Sequence, residues 1–189
     1  MIKVGSKQIK NLPSELTIDE FEAMSRVLNN DKLLEIDKYR EVFKLQGADA
    51  DEVDELTFEE FGKLVNAFNA IGEVDKGLTQ SFEIKGFTYK SYEGEKFSLM
   101  AKDMAICERV VKQNPDRHLA EIIAVLFKRD DLTKAEHYDT AHINYKAELI
   151  REAGIKADVA LPFIVIVTHQ LGEATKSALL KRADELTTG

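Results

Sequence analysis

The chain has 189 residues, 44% hydrophobic and 32% charged, with a net charge of −8 from 26 basic and 34 acidic side chains. That composition is globular rather than disordered, and the longest apolar run, Val159 to Val167, is far short of the roughly 20 residues of a membrane helix. Met1-Ile2-Lys3-Val4-Gly5 lacks the basic-then-apolar layout of a signal peptide, and a single cysteine, Cys107, forms no internal disulfide, so a reducing cytoplasm is the expected setting.

Ile2 and Val4 alternate with polar neighbours, Gly5-Ser6 suits a tight turn and Ile9 returns on the far side, which predicts a hairpin. After Asn11-Leu12-Pro13-Ser14 comes Glu15-Leu16-Thr17-Ile18-Asp19-Glu20-Phe21, repeated forty residues later as Glu55-Leu56-Thr57-Phe58-Glu59-Glu60-Phe61. Each copy reads as a helix start. The threonine caps, the glutamate three residues on reaches back to the cap's amide, and Leu16 or Leu56 staples to Phe21 or Phe61. The first helix is predicted over 18–28, with Ile18, Phe21, Met24 and Leu28 on one face, and Asn29-Asn30 ends it. A second, over 32–45, presents Leu33, Ile36, Tyr39 and Phe43, with Gly47 where a C-cap is wanted. Residues 49–55 read as an acidic linker, and a third helix over 58–70 offers Phe61, Leu64, Val65 and Phe68 before Gly72 closes it.

The second half begins as the first did. Phe82-Glu83-Ile84-Lys85-Gly86-Phe87-Thr88-Tyr89 predicts another hairpin around a Lys-Gly turn. A helix over 97–112 carries Phe97, Met100, Met104, Cys107 and Val111, and Asn114-Pro115 opens the next, over 116–128. A third, weaker box, Thr133-Lys134-Ala135-Glu136, begins a helix to about residue 153 with Tyr138, His142, Tyr145 and Leu149 on its stripe. The recurring order of hairpin, helix, helix and Leu-Thr-capped helix suggests an old duplication. The expected fold is therefore α+β and predominantly α: two small hairpins, each followed by about three helices, plus a long C-terminal helix. It divides into an acidic half, 1–76, and a second half, 77–189, or packs as one compact domain. The stretch Asp158 to Val167, apolar on all sides, has no counterpart in the first half. Pro162 fits the first turn of a helix capped near Asp158, or starts that helix itself. All-round apolarity predicts a core helix, and the sharper expectation is that Phe163, Ile164, Val165, Ile166 and Val167 dock a partner.

Residues 14–76 hold 17 acidic and 7 basic side chains, a net of −10, which leaves +2 for the rest. A field of that sign repels phosphate, so nucleic acid is not an expected partner. Within it, Asp49 to Phe61 is similar to a calcium loop, with Asp49 and Asp51 at the first and third positions and Glu60 at the twelfth. Val53 stands where a ligand is needed, however, and Asp54 where the turn needs glycine. An acidic calcium-responsive module is the alternative reading. His118, His137, His142 and His169 show no i, i+4 pairing, and without Cys-x-x-Cys no zinc site is expected. His142, on the tyrosine stripe, reads as a core histidine bonded to a tyrosine or a carbonyl. Glu136 beside His137 and Asp139 could suggest acid–base work, but adjacent residues on a helix point in different directions. Cys107 beside Glu108 reads as core, its thiol raised rather than activated. With no phosphate-binding glycine loop, Gly-x-Ser-x-Gly elbow or dinucleotide fingerprint, the expectation is a non-enzyme with no cofactor and no small-molecule substrate.

The hairpin, Leu16-Thr17-Ile18-Asp19-Glu20-Phe21, the acidic Asp51-Glu52-Val53-Asp54-Glu55-Leu56 leading into Thr57-Phe58-Glu59-Glu60-Phe61, and Phe82 to Tyr89 together resemble small helical proteins from the tail modules of tailed bacteriophages. The likeness covers about residues 1–150 and lies in pattern rather than signature residues. It implies a protein–protein interaction module in virion assembly, a tail-assembly chaperone or a component of tail, baseplate or connector. Other tail proteins or a second copy would be its partners, in the host cytoplasm during assembly or in the virion. The Pro162 segment departs from that pattern.

Overall fold

The computed structural model describes residues 2–4, 7–10, 12, 14–69, 79–91, 101–129, 131–163 and 167. The fold is α+β and predominantly helical, with antiparallel sheets of two and three strands. Two compact units emerge: Met1–Lys76 with Arg151–Asp158, and Gly77–Ile150 with Val159–Gly189.

In the first unit β1 (Ile2–Val4) pairs with β2 (Lys7–Ile9), Ile2 opposite Ile9 and Val4 opposite Lys7. Helix α1 (Ile18–Leu28) starts at Thr17, whose hydroxyl accepts from the Glu20 amide while Glu20 accepts from the Thr17 amide. The same box opens α4 (Phe58–Asn69) through Thr57 and Glu60. Helix α2 (Glu35–Leu45) begins three residues later than the apolar spacing predicts. Asn30 takes the amides of Lys32 and Leu33 into a turn, so those residues never enter the helix, and Ile36 is left exposed rather than on the buried stripe. The expected linker contains a short helix, α3 (Ala50–Asp54), because Asp49 accepts from the amides of Asp51 and Glu52. Phe43 is the hub of the core, its ring 6.1 Å from Phe61 and 5.8 Å from Phe68, both edge-on. Leu16, Val42, Val53 and Leu64 close around it.

This unit is completed from far down the chain. The Ile18 amide donates to the Ile155 carbonyl (3.0 Å) and the Ala157 amide to the Leu16 carbonyl (2.9 Å), so residues 155–157 lie along the strand-like entry to α1. Arg151 donates to Glu22 at 2.7 Å and to Asp19, and its side chain and that of Glu22 are 3% and 4% exposed.

In the second unit β3 (Ser81–Ile84) and β4 (Phe87–Lys90) form the expected hairpin. Its turn residues Lys85 and Gly86 both have positive φ, 51° and 81°, the geometry of a type I′ turn whose twist matches the strands. Helix α5 (Ala101–Gln113) follows, and α6 (Leu119–Leu126) starts later than Asn114-Pro115 predicts, because the Arg117 amide closes a turn onto the Asn114 carbonyl. Helix α6 also stops early. Phe127 is extended, and β5 (Lys128–Arg129) joins β4, with Arg129 opposite Tyr89, so the hairpin becomes a three-stranded sheet.

The box at Thr133 and Glu136 opens only α7 (Lys134–His137). Asp139 then accepts from the His142 amide with its carboxylate and from the Ile143 amide with its carbonyl, starting α8 (Thr140–Glu152) as a separate helix. Phe127 centres this core, its ring 4.7 Å from Phe82 and 5.1 Å from Phe163. Residues 157–163 are helical, so Pro162 lies beyond the first turn instead of starting the helix. Ala157, Ala160, Phe163 and Val167 are buried, whereas Val159, Leu161 and Pro162 are only half-buried. Gly72, Phe97 and Met100 fall outside the described residues.

Candidate functional site

The break between α7 and α8 decides which histidine is inside. Had one helix run through, His142 would share a face with Tyr138 and Tyr145. Asp139 instead resets the phase, leaving His142 partly exposed beside Asp139 and Tyr145 exposed. His137 is the core histidine, 3% exposed, and α8 turns Ile143, Lys146, Ala147 and Ile150 inward.

His137 Nε2 lies 2.9 Å from the Val125 carbonyl, and its Nδ1 lies 3.0 Å from Lys146 Nζ, which donates to the Ala124 carbonyl at 2.6 Å. Beside them the Tyr138 hydroxyl donates to the fully buried carboxylate of Asp103 on α5, at 2.7 Å. Burial, then the positive charges of Lys146 and Lys128, push the His137 imidazole down to about 4. Burial, then Arg129 and Lys128, bring the Lys146 amine down to about 7. Cys107, one turn from Asp103 on the same helix, is fully enclosed, and burial together with that carboxylate pushes its thiol up to about 12. A thiol so placed is core, as its setting in the sequence predicts. Chemically the cluster holds a neutral imidazole and an amine of reduced basicity, but both are enclosed and spent on backbone carbonyls.

Of the five residues expected to dock a partner, Phe163 and Val167 are 0% and 2% exposed. Phe163 meets Phe127 edge-on within the chain, and a side chain already enclosed offers no docking surface. Ile164, Val165 and Ile166, like His169, lie outside the described residues. The residues of the calcium-like stretch are not brought together as a loop. Asp49 caps α3, Asp54 takes Arg40, and Glu60, held below the usual carboxylate range by the Thr57 hydroxyl and amide, caps α4. Among the described residues no group of three or more His, Cys, Asp or Glu side chains is placed to hold a metal ion.

The first unit has a surface cavity of about 350 Å³ lined in part by Lys10, Glu20, Met24, Leu45 and Gln46. Its Lys10, Glu20 and Gln46 are engaged with one another or with backbone. Gln46 accepts from the Lys10 amide (2.6 Å) and donates to the Lys10 carbonyl (2.8 Å), imitating a neighbouring strand, and Lys10 pairs with Glu20 at 2.6 Å. Large apolar side chains on this unit face outward instead: Phe58 at the first position of α4 is 87% exposed and Leu34 at the start of α2 is 71% exposed. Among the described residues no helix is long and apolar enough to cross a membrane. No family model matches the chain, and no characterised protein and no solved structure is significantly similar to it.

Proposed function

We propose that this chain is a non-enzymatic protein–protein interaction module acting in the assembly or structure of a bacteriophage tail, in the host cytoplasm during assembly or in the virion. The pattern likeness of residues 1–150 to small tail-module proteins motivates the reading. The observation that carries it is a division of side chains. The groups best suited to chemistry, His137, Lys146, Asp103 and Cys107, are enclosed, while Phe58 and Leu34 are held out in solvent. An aromatic side chain such as Phe58 is of a type enriched at protein interfaces. The partner is another tail protein or a second copy of this chain.

The test is co-expression with the proteins of a tail module, followed by affinity capture and light scattering. Capture of one tail protein, or self-association, is expected, and Phe58→Asp should weaken it while leaving the melting temperature unchanged. A chain that stays monomeric at high concentration and captures no viral protein overturns the reading. A calcium-induced rise in melting temperature would favour the acidic-module alternative in its place.

A further inference from the structure

The last turn of any helix leaves carbonyls without amide partners. In α6 the carbonyls of Ala124 and Val125 belong to that turn, and Lys146 and His137 take them, as cationic or donor side chains commonly do at helix C-termini. Three residues beyond Val125 the chain is already strand β5, held to β4 among the described residues by two residue pairs, Tyr89 with Arg129 and Lys90 with Lys128. The two side chains therefore fix the point at which helix gives way to strand.

A carbonyl only accepts, so the imidazole must donate from Nε2, and its lone pair at Nδ1 then faces Lys146. Ammonium or neutral amine, Lys146 has hydrogens enough for both acceptors. A second proton on the ring abolishes the arrangement, because Nδ1 becomes a donor aimed at another donor 3.0 Å away. The other groups around the ring offer that charge little relief. From α5, Asp103 already accepts the Tyr138 hydroxyl, and Lys102 stands 4.2 Å above the Tyr138 ring. From β5, Lys128 approaches the Tyr138 hydroxyl at 3.5 Å, and Arg129, paired with Asp131, adds to the positive field on Lys146. Among the described residues the cations Lys102, Lys128, Arg129 and Lys146 outnumber the carboxylates Asp103 and Asp131, and both carboxylates already accept a hydrogen bond.

We propose that His137 and Lys146 form an acid-sensitive latch on the end of α6, which holds β5 on the edge of β4 and releases it when His137 takes a second proton. The depressed basicity of His137 agrees with this. Its folded-state value, about 4, lies below the ordinary 6.5, so the latch is fully closed above pH 6.5 and is lost as the pH falls toward 4.

Two measurements on the full chain test it. Long-range proton–nitrogen correlation of the His137 ring should show the neutral Nε2–H form at pH 7. Amide exchange at Lys128 and Arg129, corrected for intrinsic rates, should accelerate by up to about tenfold per pH unit between 6.5 and 4, one proton being taken up on opening. The amides of α1 should not follow. His137→Gln keeps a donor for the Val125 carbonyl but has no proton to gain, so its β5 exchange should not depend on pH in this range. Lys146→Met should let the ring titrate at a higher pH. An Nδ1–H ring at pH 7, or the same acid response in His137→Gln, overturns the proposal; the ring measurement decides even if that variant fails to fold.

Discussion

The sharpest stability consequence lies in the first unit, where Arg151 reaches Asp19 and Glu22 across more than 120 residues of sequence. Replacing Arg151 by methionine keeps its bulk and removes its charge. Asp19, half-exposed, regains water. Glu22, at 4% exposure, cannot, and breaking one side of a buried ion pair costs about 3–5 kcal/mol. At roughly 4–8 °C per kcal/mol for a domain of 60–100 residues, the melting temperature of this unit should fall by at least about 12 °C. The double variant Arg151→Met with Glu22→Leu supplies the control. An apolar pair in place of a buried ion pair is often neutral, so most of the loss should return. Thermal melts followed by circular dichroism, with amide exchange at Ile18 and Ala157 reporting whether residues 155–157 stay docked, read both effects. A single variant that costs under about 1 kcal/mol, or a double variant no better than the single, would refute the claim that Glu22 depends on Arg151.

Cys107 should resist iodoacetamide at pH 8 in the folded chain and react in denaturant, since burial holds its thiol near 12; rapid native alkylation would contradict the enclosed site. Gly86→Ala should cost about 1 kcal/mol in urea unfolding, because alanine is strained at a φ of 81°. The spatial room beside Gly86 is open, so a clash cannot be the cause. For Lys146 the folded value near 7 lies below the ordinary 10.5, so the unfolded chain binds the extra proton between those limits and stability should rise with pH from about 7 to 10.5. Lys146→Met should flatten that rise in denaturation curves taken across the range, and an unchanged slope would show that the amine is hydrated.

Local signals are legible in the sequence because they act locally. The Thr–Glu boxes at residues 17, 57 and 133, the Lys85-Gly86 turn and the end of α1 at Leu28 depend on residues within a turn of one another. The misplacements have the same origin seen from the other side. Asn30, Asn114, Asp49 and Asp139 each take backbone amides in competition with the expected helix or loop, and each moves a boundary by a few residues. At Asp139 the consequence was larger, because a shifted phase exchanged His142 for His137 inside the core.

One kind of residue defeats pattern altogether: a charged side chain on an apolar face. Glu22 sits one turn after Ile18, Asp103 one turn before Cys107, and Lys146 and Arg151 flank Ala147 and Ile150. Amphipathic reading assigns such residues to solvent, since an isolated charge in the interior is costly. Their partners dissolve that objection, but the partners lie on other elements: Arg151 for Glu22, Tyr138 for Asp103, and the α6 carbonyls for Lys146. A charge on a helix face that is otherwise buried is therefore a prediction in itself. It requires an opposite charge, a hydroxyl donor or an orphaned backbone group to be delivered by another part of the chain. In this protein two of these charges, Glu22 and Lys146, mark places where distant segments are fastened: residues 151–158 to α1, and the α6 terminus to α7 and α8.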